Sequence, residues 1–338
     1  MDTENTNQNW EQHYADIIQA GIAKSTLRAY KRDLRYFDAW YNIAMGKPLQ
    51  YPVAKETVIQ FILDHIDQNE NAHIQALVVA GLRRCSAPLR ITTLKRYLSS
   101  LSVAHQEQGL ASPTQAPAVS MLLRRAARAH QYPSLKKDAI TQPILAQLLS
   151  TCDDSLRGVR DRALLLLGFS AGGRRRAELA AIKINHLERI EDGYLLHIIR
   201  SKTDQEGNGL TLPILGMAAK ALSTWLVRSG IREGKLFRGI RNNNALNPAI
   251  SPRNINNIVK RHIKDAGLNP DEFGAHSLRS GFITEAGRQG VALRDAMQLS
   301  GHADPNTALG YHRHGQLLSN PASRLITDLN DNTKGDTP

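Results

Sequence analysis

One break in an otherwise helical pattern most constrains the fold of this chain. Apolar residues recur at spacings of three and four almost from end to end, as along one face of a helix. Leu27, Tyr30, Leu34, Phe37 and Tyr41 set the pattern, and Leu94, Tyr97, Leu98 and Leu101 repeat it. Between about 193 and 214 the texture changes. Gly193-Tyr194-Leu195-Leu196-His197-Ile198-Ile199 reads as a strand, a polar Gly-rich stretch follows over 201–209, and Leu210-Thr211-Leu212-Pro213-Ile214 reads as a second strand. The expected fold is therefore mainly α with a small β-sheet built on one long-looped hairpin. Helices are predicted over about 54–67, 72–84, 91–107, 117–130, 142–152, 156–171, 175–182, 216–229, 252–266, 277–288, 292–299, 304–312 and 318–329.

Punctuation divides the chain further. Tyr132-Pro133-Ser134-Leu135-Lys136-Lys137-Asp138 combines proline, small polar residues and charge, which marks a linker over 133–140. Residues 1–10 read as a disordered tail, 11–132 as a helical domain, 141–330 as a second domain, and 331–338 as a disordered tail. The helical domain carries basic faces, at Arg28, Lys31, Arg32 and Arg35, at Arg90, Lys95 and Arg96, and at Arg124 and Arg125. Taken singly, each is an ordinary solvated face. Together they suit a duplex backbone.

Charge agrees with that. Forty-three Lys and Arg face 31 Asp and Glu, a formal net charge of +12, which favours an anionic partner. Aromatics are 5% of the residues, which argues against single-strand binding on stacking platforms. Cys85 and Cys152 have no metal-type spacing around them and fit a reducing compartment. The opening residues are polar and acidic, unlike a secretory signal. The longest apolar stretch, Ala163–Phe169, is too short for a bilayer. A cytoplasmic, nucleoid-associated protein with no membrane partner is the expectation.

The chemistry-bearing residues lie in the second domain. Arg175 sits three residues before Glu178 in Gly172-Gly173-Arg174-Arg175-Arg176-Ala177-Glu178-Leu179. His276 and Arg279 form a His-x-x-Arg pair in Ala275-His276-Ser277-Leu278-Arg279-Ser280-Gly281-Phe282. At that spacing they share one helix face. His302 follows Gly301, and Tyr311 stands nine residues later. Lys202 occupies the polar tip of the hairpin. Cations, imidazoles and one phenol, without a carboxylate triad for a metal, suit attack on a phosphodiester by a side-chain nucleophile.

Each string alone is weak, since a basic helix start or a packed tyrosine would explain it as well. In this order and spacing they resemble the signature of the tyrosine recombinases, or phage integrases. Arg174 departs from the family pattern, which has an aliphatic residue there. Some members carry Trp where this chain has His302, although most carry His. The resemblance implies Arg175, Lys202, His276, Arg279, His302 and Tyr311 as catalytic residues, with Glu178 in support. Lys202 would be the acid to the leaving oxygen. It implies no cofactor and no metal. It implies a helical core-binding, SAM-like domain joined to an α/β catalytic domain, in a C-shaped clamp on DNA. The natural partner would be double-stranded DNA, with a homotetramer on two sites and possible accessory DNA-bending proteins. The segment 317–330, with Leu318, Leu325 and Ile326 as apolar anchors, would be a C-terminal helix docking in a neighbouring protomer.

Alternatives remain at this point. A type IB topoisomerase uses the same cut-and-reseal chemistry on one duplex. A non-catalytic DNA-binding protein would need the basic faces only. A metal pair on His312 and His314, with His302 as a third ligand, is conceivable, but for His312 and His314 solvent-facing histidines beside Tyr311 fit better.

Overall fold

The computed structural model describes residues 21–66, 71–130, 137–198, 209–302 and 304–317. The chain divides into two compact units, Met1–Ser134 and Leu135–Pro338.

The first unit is helical. Its main helices are α1 (Lys24–Met45), α2 (Lys55–Ile66), α3 (Ala72–Val79), α4 (Ile91–Gln106) and α5 (Pro117–Ala129). The three-and-four spacing on α1 and α4 buries Phe37, Tyr41, Leu94, Leu98 and Leu101, and the two helices pack together. Trp40, Phe61, Ile62, Leu77 and Val119 complete the core.

Inside that core lies a carboxylate, Asp64, only 3% exposed. It accepts from Trp40 Nε1 at 2.9 Å, Gln60 Nε2 at 2.6 Å and Asn71 Nδ2 at 3.0 Å, and pairs with His73 Nδ1 at 2.8 Å. Burial by itself would raise its pKa. The four partners, His73 foremost, outweigh burial and hold the carboxyl below its ordinary value. Asp64→Leu leaves these partners facing a hydrocarbon. We expect it to destabilise this unit by roughly 2–4 kcal/mol, measured by chemical unfolding followed at Trp40. A loss within about 0.5 kcal/mol would mean the partners find water instead.

The second unit holds α6 (Gln142–Ser150), α7 (Leu156–Ser170), α8 (Arg176–Ala181), α9 (Gly216–Ser229), α10 (Pro252–Asp265), α11 (Ser277–Arg288), α12 (Leu293–Ser300) and α13 (Pro305–Gln316). Among the described residues its sheet has three antiparallel strands in the order β1 (Leu187–Ile190), β2 (Gly193–Ile198) and β3 (Leu210–Leu215). The register pairs Leu187 with Leu196 and Leu196 with Leu212. Strand β1 was not expected from the sequence. Two of its four residues are charged, and pairing with β2 supplies the order that its own side chains do not. The β2–β3 pair is the hairpin that the sequence predicts, and residues 199–208 between the strands lie outside the described residues.

Leu164, Leu167, Leu196, Leu212, Leu222, Trp225, Val259 and Leu278 are fully buried in the core of this unit. A second buried carboxylate, Asp161, joins α7 to α10. It pairs with Arg160 at 2.7 Å, with Arg261, and with His262 Nε2 at 3.2 Å. These contacts fix α7, whose end leads into the segment carrying Arg174 and Arg175. No described helix is long and apolar enough to cross a membrane.

Candidate active site

The site starts at the end of α7. Gly172 and Gly173 take positive φ values of 81° and 70° and turn the chain into α8. A Cβ on Gly173 would lie 2.3 Å from Arg279 Cα, and one on Gly172 would lie 2.3 Å from the Leu299 carbonyl oxygen. Only glycine lets this turn press against the start of α11 and the end of α12. The three arginines that follow are thereby brought beside Arg279.

They do not share one environment. Arg174 is 1% exposed, and its Nη2 donates to the Leu299 carbonyl at 2.5 Å. Arg175 is the residue before α8 and stays partly open. Glu178, one turn on, grips it twice: Oε1 accepts from Arg175 Nη1 at 2.8 Å and Oε2 from its backbone N–H at 3.3 Å. Oε2 also lies 3.6 Å from Arg174 Nη1. Arg176 is exposed.

Arg279 is 2% exposed on the first turn of α11. Its Nη1 donates to the Gly173 carbonyl at 3.3 Å and to the Ser300 carbonyl, and its Nε donates to His302 Nε2 at 3.1 Å. Its buried Nη2 has no partner among the described residues. A buried guanidinium with an unused donor is uncommon in a purely structural role. Burial, then Arg175 and Arg174, push its pKa down to about 10, so it remains a cation at neutral pH. Arg174, Arg175 and Arg279 against the carboxylate of Glu178 leave this corner electropositive.

Two imidazoles face that field. His276, open on one side, is held below the ordinary histidine range by partial burial, Arg279 and Arg175. His302 is pushed down to about 4 by burial and then by Arg279, Arg175, His276 and Arg174. Both rings are neutral at physiological pH and can accept protons. Tyr311 is carried on α13, which packs closely on α11, and it packs against the cluster of Ile283, Ala286 and Ala296, as Phe282 does. A Cβ on Gly287 would lie 2.2 Å from the His312 carbonyl oxygen, and one on Gly315 would lie 2.0 Å from that of Thr284. The two helices therefore touch backbone to backbone.

Of the six candidates, Arg175, His276, Arg279 and His302 gather in one electrostatic cluster, and Tyr311 sits on the adjoining helix. Lys202 lies outside the described residues, as do Leu318, Leu325 and Ile326. His312 departs from its expected solvent-facing place. It is 4% exposed, and its Nε2 donates to the Val291 carbonyl at 2.7 Å. The helix turns this position inward onto the α11–α12 connection, whereas His314 is exposed. Among the described residues no three His, Cys, Asp or Glu side chains gather as a metal set. Ser300, which the sequence reading did not single out, is wholly buried beside His302.

In the helical unit, Arg28, Lys31, Arg32, Arg35, Arg90, Lys95, Arg124 and Arg125 are exposed. Arg96 is half-buried. It bonds the buried Asp33 through Nη1 and stacks 4.8 Å over the Tyr97 ring. Its part in the packing is thus explicit, whatever else it contacts.

Comparison with known proteins places this geometry. The Phage integrase family pattern matches residues 139–316. The chain is 28% identical over 317 residues to the integrase/recombinase xerD homolog of Selenomonas ruminantium, covering 90% of this chain and 86% of the relative. It is 25% identical over 263 residues to the recombinase cre of Escherichia phage P1, covering 71% and 76%. Among solved structures, the Tn1549 transposon integrase in complex with transposon right end DNA matches with a TM-score of 0.58 at 14% identity, covering 93% of this chain and 97% of that one. A lambda integrase dimer bound to a COC' core site matches with a TM-score of 0.54 at 19% identity, covering 91% and 77%. The structural likeness bears on fold, and the family match spans the whole cluster of arginines, histidines and Tyr311. This chain belongs to the phage integrase family of tyrosine recombinases.

Proposed function

We infer that this protein is a site-specific DNA recombinase that cuts and rejoins strands through a 3′-phosphotyrosyl intermediate. The observation that carries the reading is the buried Arg279 fork, with one Nη2 donor unused, set beside Arg175 and two neutral histidines. Negative phosphate oxygens repel a nucleophile, and two guanidinium forks offset that charge as it builds. Arg175, held by Glu178, and Arg279 grip the scissile phosphate. The Tyr311 phenol oxygen attacks phosphorus, the bond to the 5′ oxygen breaks, and the phenol proton leaves. His276 and His302 accept and return protons, and Lys202 supplies one to the departing 5′ oxygen. A 5′ hydroxyl then attacks the phosphotyrosine, re-forming the diester and freeing Tyr311. The bond energy is kept throughout, so no ATP is required.

Incubation with a nicked suicide substrate tests the reading, because the short cut piece diffuses away and leaves the adduct trapped. We expect a covalent protein–DNA species whose modified peptide contains Tyr311, formed equally in EDTA. Free cut ends without adduct, or a strict metal requirement, would overturn it. For Lys202 the test is a substrate with a 5′-bridging sulfur, a leaving group that needs no proton. Lys202→Ala should cleave that substrate at nearly the parent rate and the ordinary one far more slowly. Equal defects on both would remove the acid role.

The domain roles belong to the same proposal. The unit over 11–132 holds duplex DNA through phosphates, and 141–330 carries the chemistry, with 133–140 as linker. Four protomers join two sites, with 317–330 docked on a neighbour and DNA-bending proteins assisting, in the nucleoid. Truncation at Gln316 should keep single-site binding and lose four-protomer assembly in sedimentation. Assembly without the tail would rule out the docking role. A topoisomerase would nick and close one duplex without that assembly.

A further inference from the structure

Ser300 closes α12 with its side chain wholly buried, and the chemistry above gives it no task. Its hydroxyl has one proton to give. The Met297 carbonyl takes that proton at 3.3 Å. With that proton so placed, Oγ can accept from His302 Nδ1, 2.7 Å away. The opposite side of the ring leads independently to the same place. Arg279 Nε can only donate, and it lies 3.1 Å from His302 Nε2, so Nε2 carries the lone pair. Were Ser300 to donate to Nδ1 instead, a neutral ring would have to place its proton on Nε2, against the Arg279 N–H. The Arg279 side requires the proton on Nδ1 of a neutral ring, and the Ser300 side accommodates it.

The two constraints differ in how long they last. Arg279 turns its donors to phosphate oxygens when DNA enters, and Nε2 then loses its partner. Ser300 cannot turn away. It is wholly buried, and Arg174 Nη2 bonds the carbonyl of Leu299 just before it, a contact that does not depend on Arg279. The buried arginine at 174, where the family has an aliphatic residue, thus acts on the backbone that presents Ser300.

We propose that Ser300 is a positioning residue that keeps the proton on Nδ1 of His302, and so reserves Nε2 for the proton that moves at the scissile phosphate. When Nε2 gains that proton, Nδ1–H stays bonded to Ser300, and the ring need not turn. The orientation of a histidine by the bond its other nitrogen makes is a general device. This proposal rests on the recombinase reading of the site.

The test uses the full chain, labelled with 15N-histidine, and long-range proton–nitrogen spectra of the DNA-free protein. His302 is assigned by its absence in His302→Ala. We expect Nδ1 protonated and Nε2 bare in the parent protein. In Ser300→Ala the ring should populate the Nε2–H form, and adduct formation on the suicide substrate should slow on the order of tenfold. DNA affinity and thermal midpoint should stay close to the parent values. Ser300→Cys, similar in size but a weak acceptor, should behave as Ser300→Ala does. In a His302→Ala background the Ser300 substitutions should add nothing. A parent spectrum with Nδ1 bare overturns the proposal without any variant. So does a parent-like cleavage rate in Ser300→Ala, or a defect that persists undiminished without His302. If His302→Ala itself cleaves at the parent rate, the failure lies in the catalytic role assigned to His302, and the spectrum still reports where the proton sits.

Discussion

Tyr311→Phe should bind its DNA site with parent affinity and form no covalent adduct. The ring stays against Ile283, Ala286 and Ala296, so the packing of α13 on α11 is preserved. Only the oxygen that attacks phosphorus is lost. Deleting a nucleophile removes its whole reaction path, and the expected drop is roughly 10⁴–10⁶-fold. The suicide substrate and a gel shift, run on the same preparation, check both halves. An adduct that persists in Tyr311→Phe, mapped to another side chain, would move the nucleophile elsewhere.

Arg279→Lys should come second in size. Lysine keeps one charge but has a single ammonium group, where Arg279 serves His302 through Nε, Gly173 and Ser300 through Nη1, and keeps Nη2 in reserve. Loss of a preorganised donor at a developing charge costs about 10²–10³ in rate. We expect that loss in adduct formation, with site affinity little changed because most phosphate contacts lie elsewhere. Arg175→Lys should show a similar defect, as the Glu178 grip on Nη1 is lost. Arg174→Lys separates the two registers. Arg174 is turned inward onto Leu299 and Glu178, and although its buried Nε has no partner among the described residues, its change should affect stability more than cleavage. Cleavage that falls with Arg174→Lys and survives Arg175→Lys would exchange their roles.

These expectations rest unevenly on what the chain showed before folding. Helix α11 could be read over its full span, Ser277–Arg288, because Leu278, Gly281, Phe282 and Glu285 follow the helical period. Strands β2 and β3 could be read because alternation and the polar stretch between them are local signals. Strand β1 could not, since Glu188 and Arg189 are ordered by partners on β2 rather than by their own preference. The three consecutive arginines looked alike on paper. What tells them apart is distant: the Leu299 carbonyl takes Arg174, and Glu178 takes Arg175. His312 was misjudged for the same reason, since the Val291 carbonyl that holds it comes from another element. Ser300 lies only two residues before His302, but the significance of that spacing depends on Arg279 fixing the other side of the ring.

The contact between α11 and α13 bears on how such an enzyme is kept from firing at the wrong time. At Gly287 and Gly315 the helices meet with no side chain between them, and a Cβ at either position would meet the backbone of the other helix. Elements packed this closely shift between discrete arrangements rather than sliding freely. A displacement of α13 therefore either opens this contact or takes α11, with Arg279 on its first turn, along with it. Two glycines thus couple the placement of Tyr311 to that of an arginine on the neighbouring helix, and a neighbouring protein or DNA that shifts one would be felt at the other.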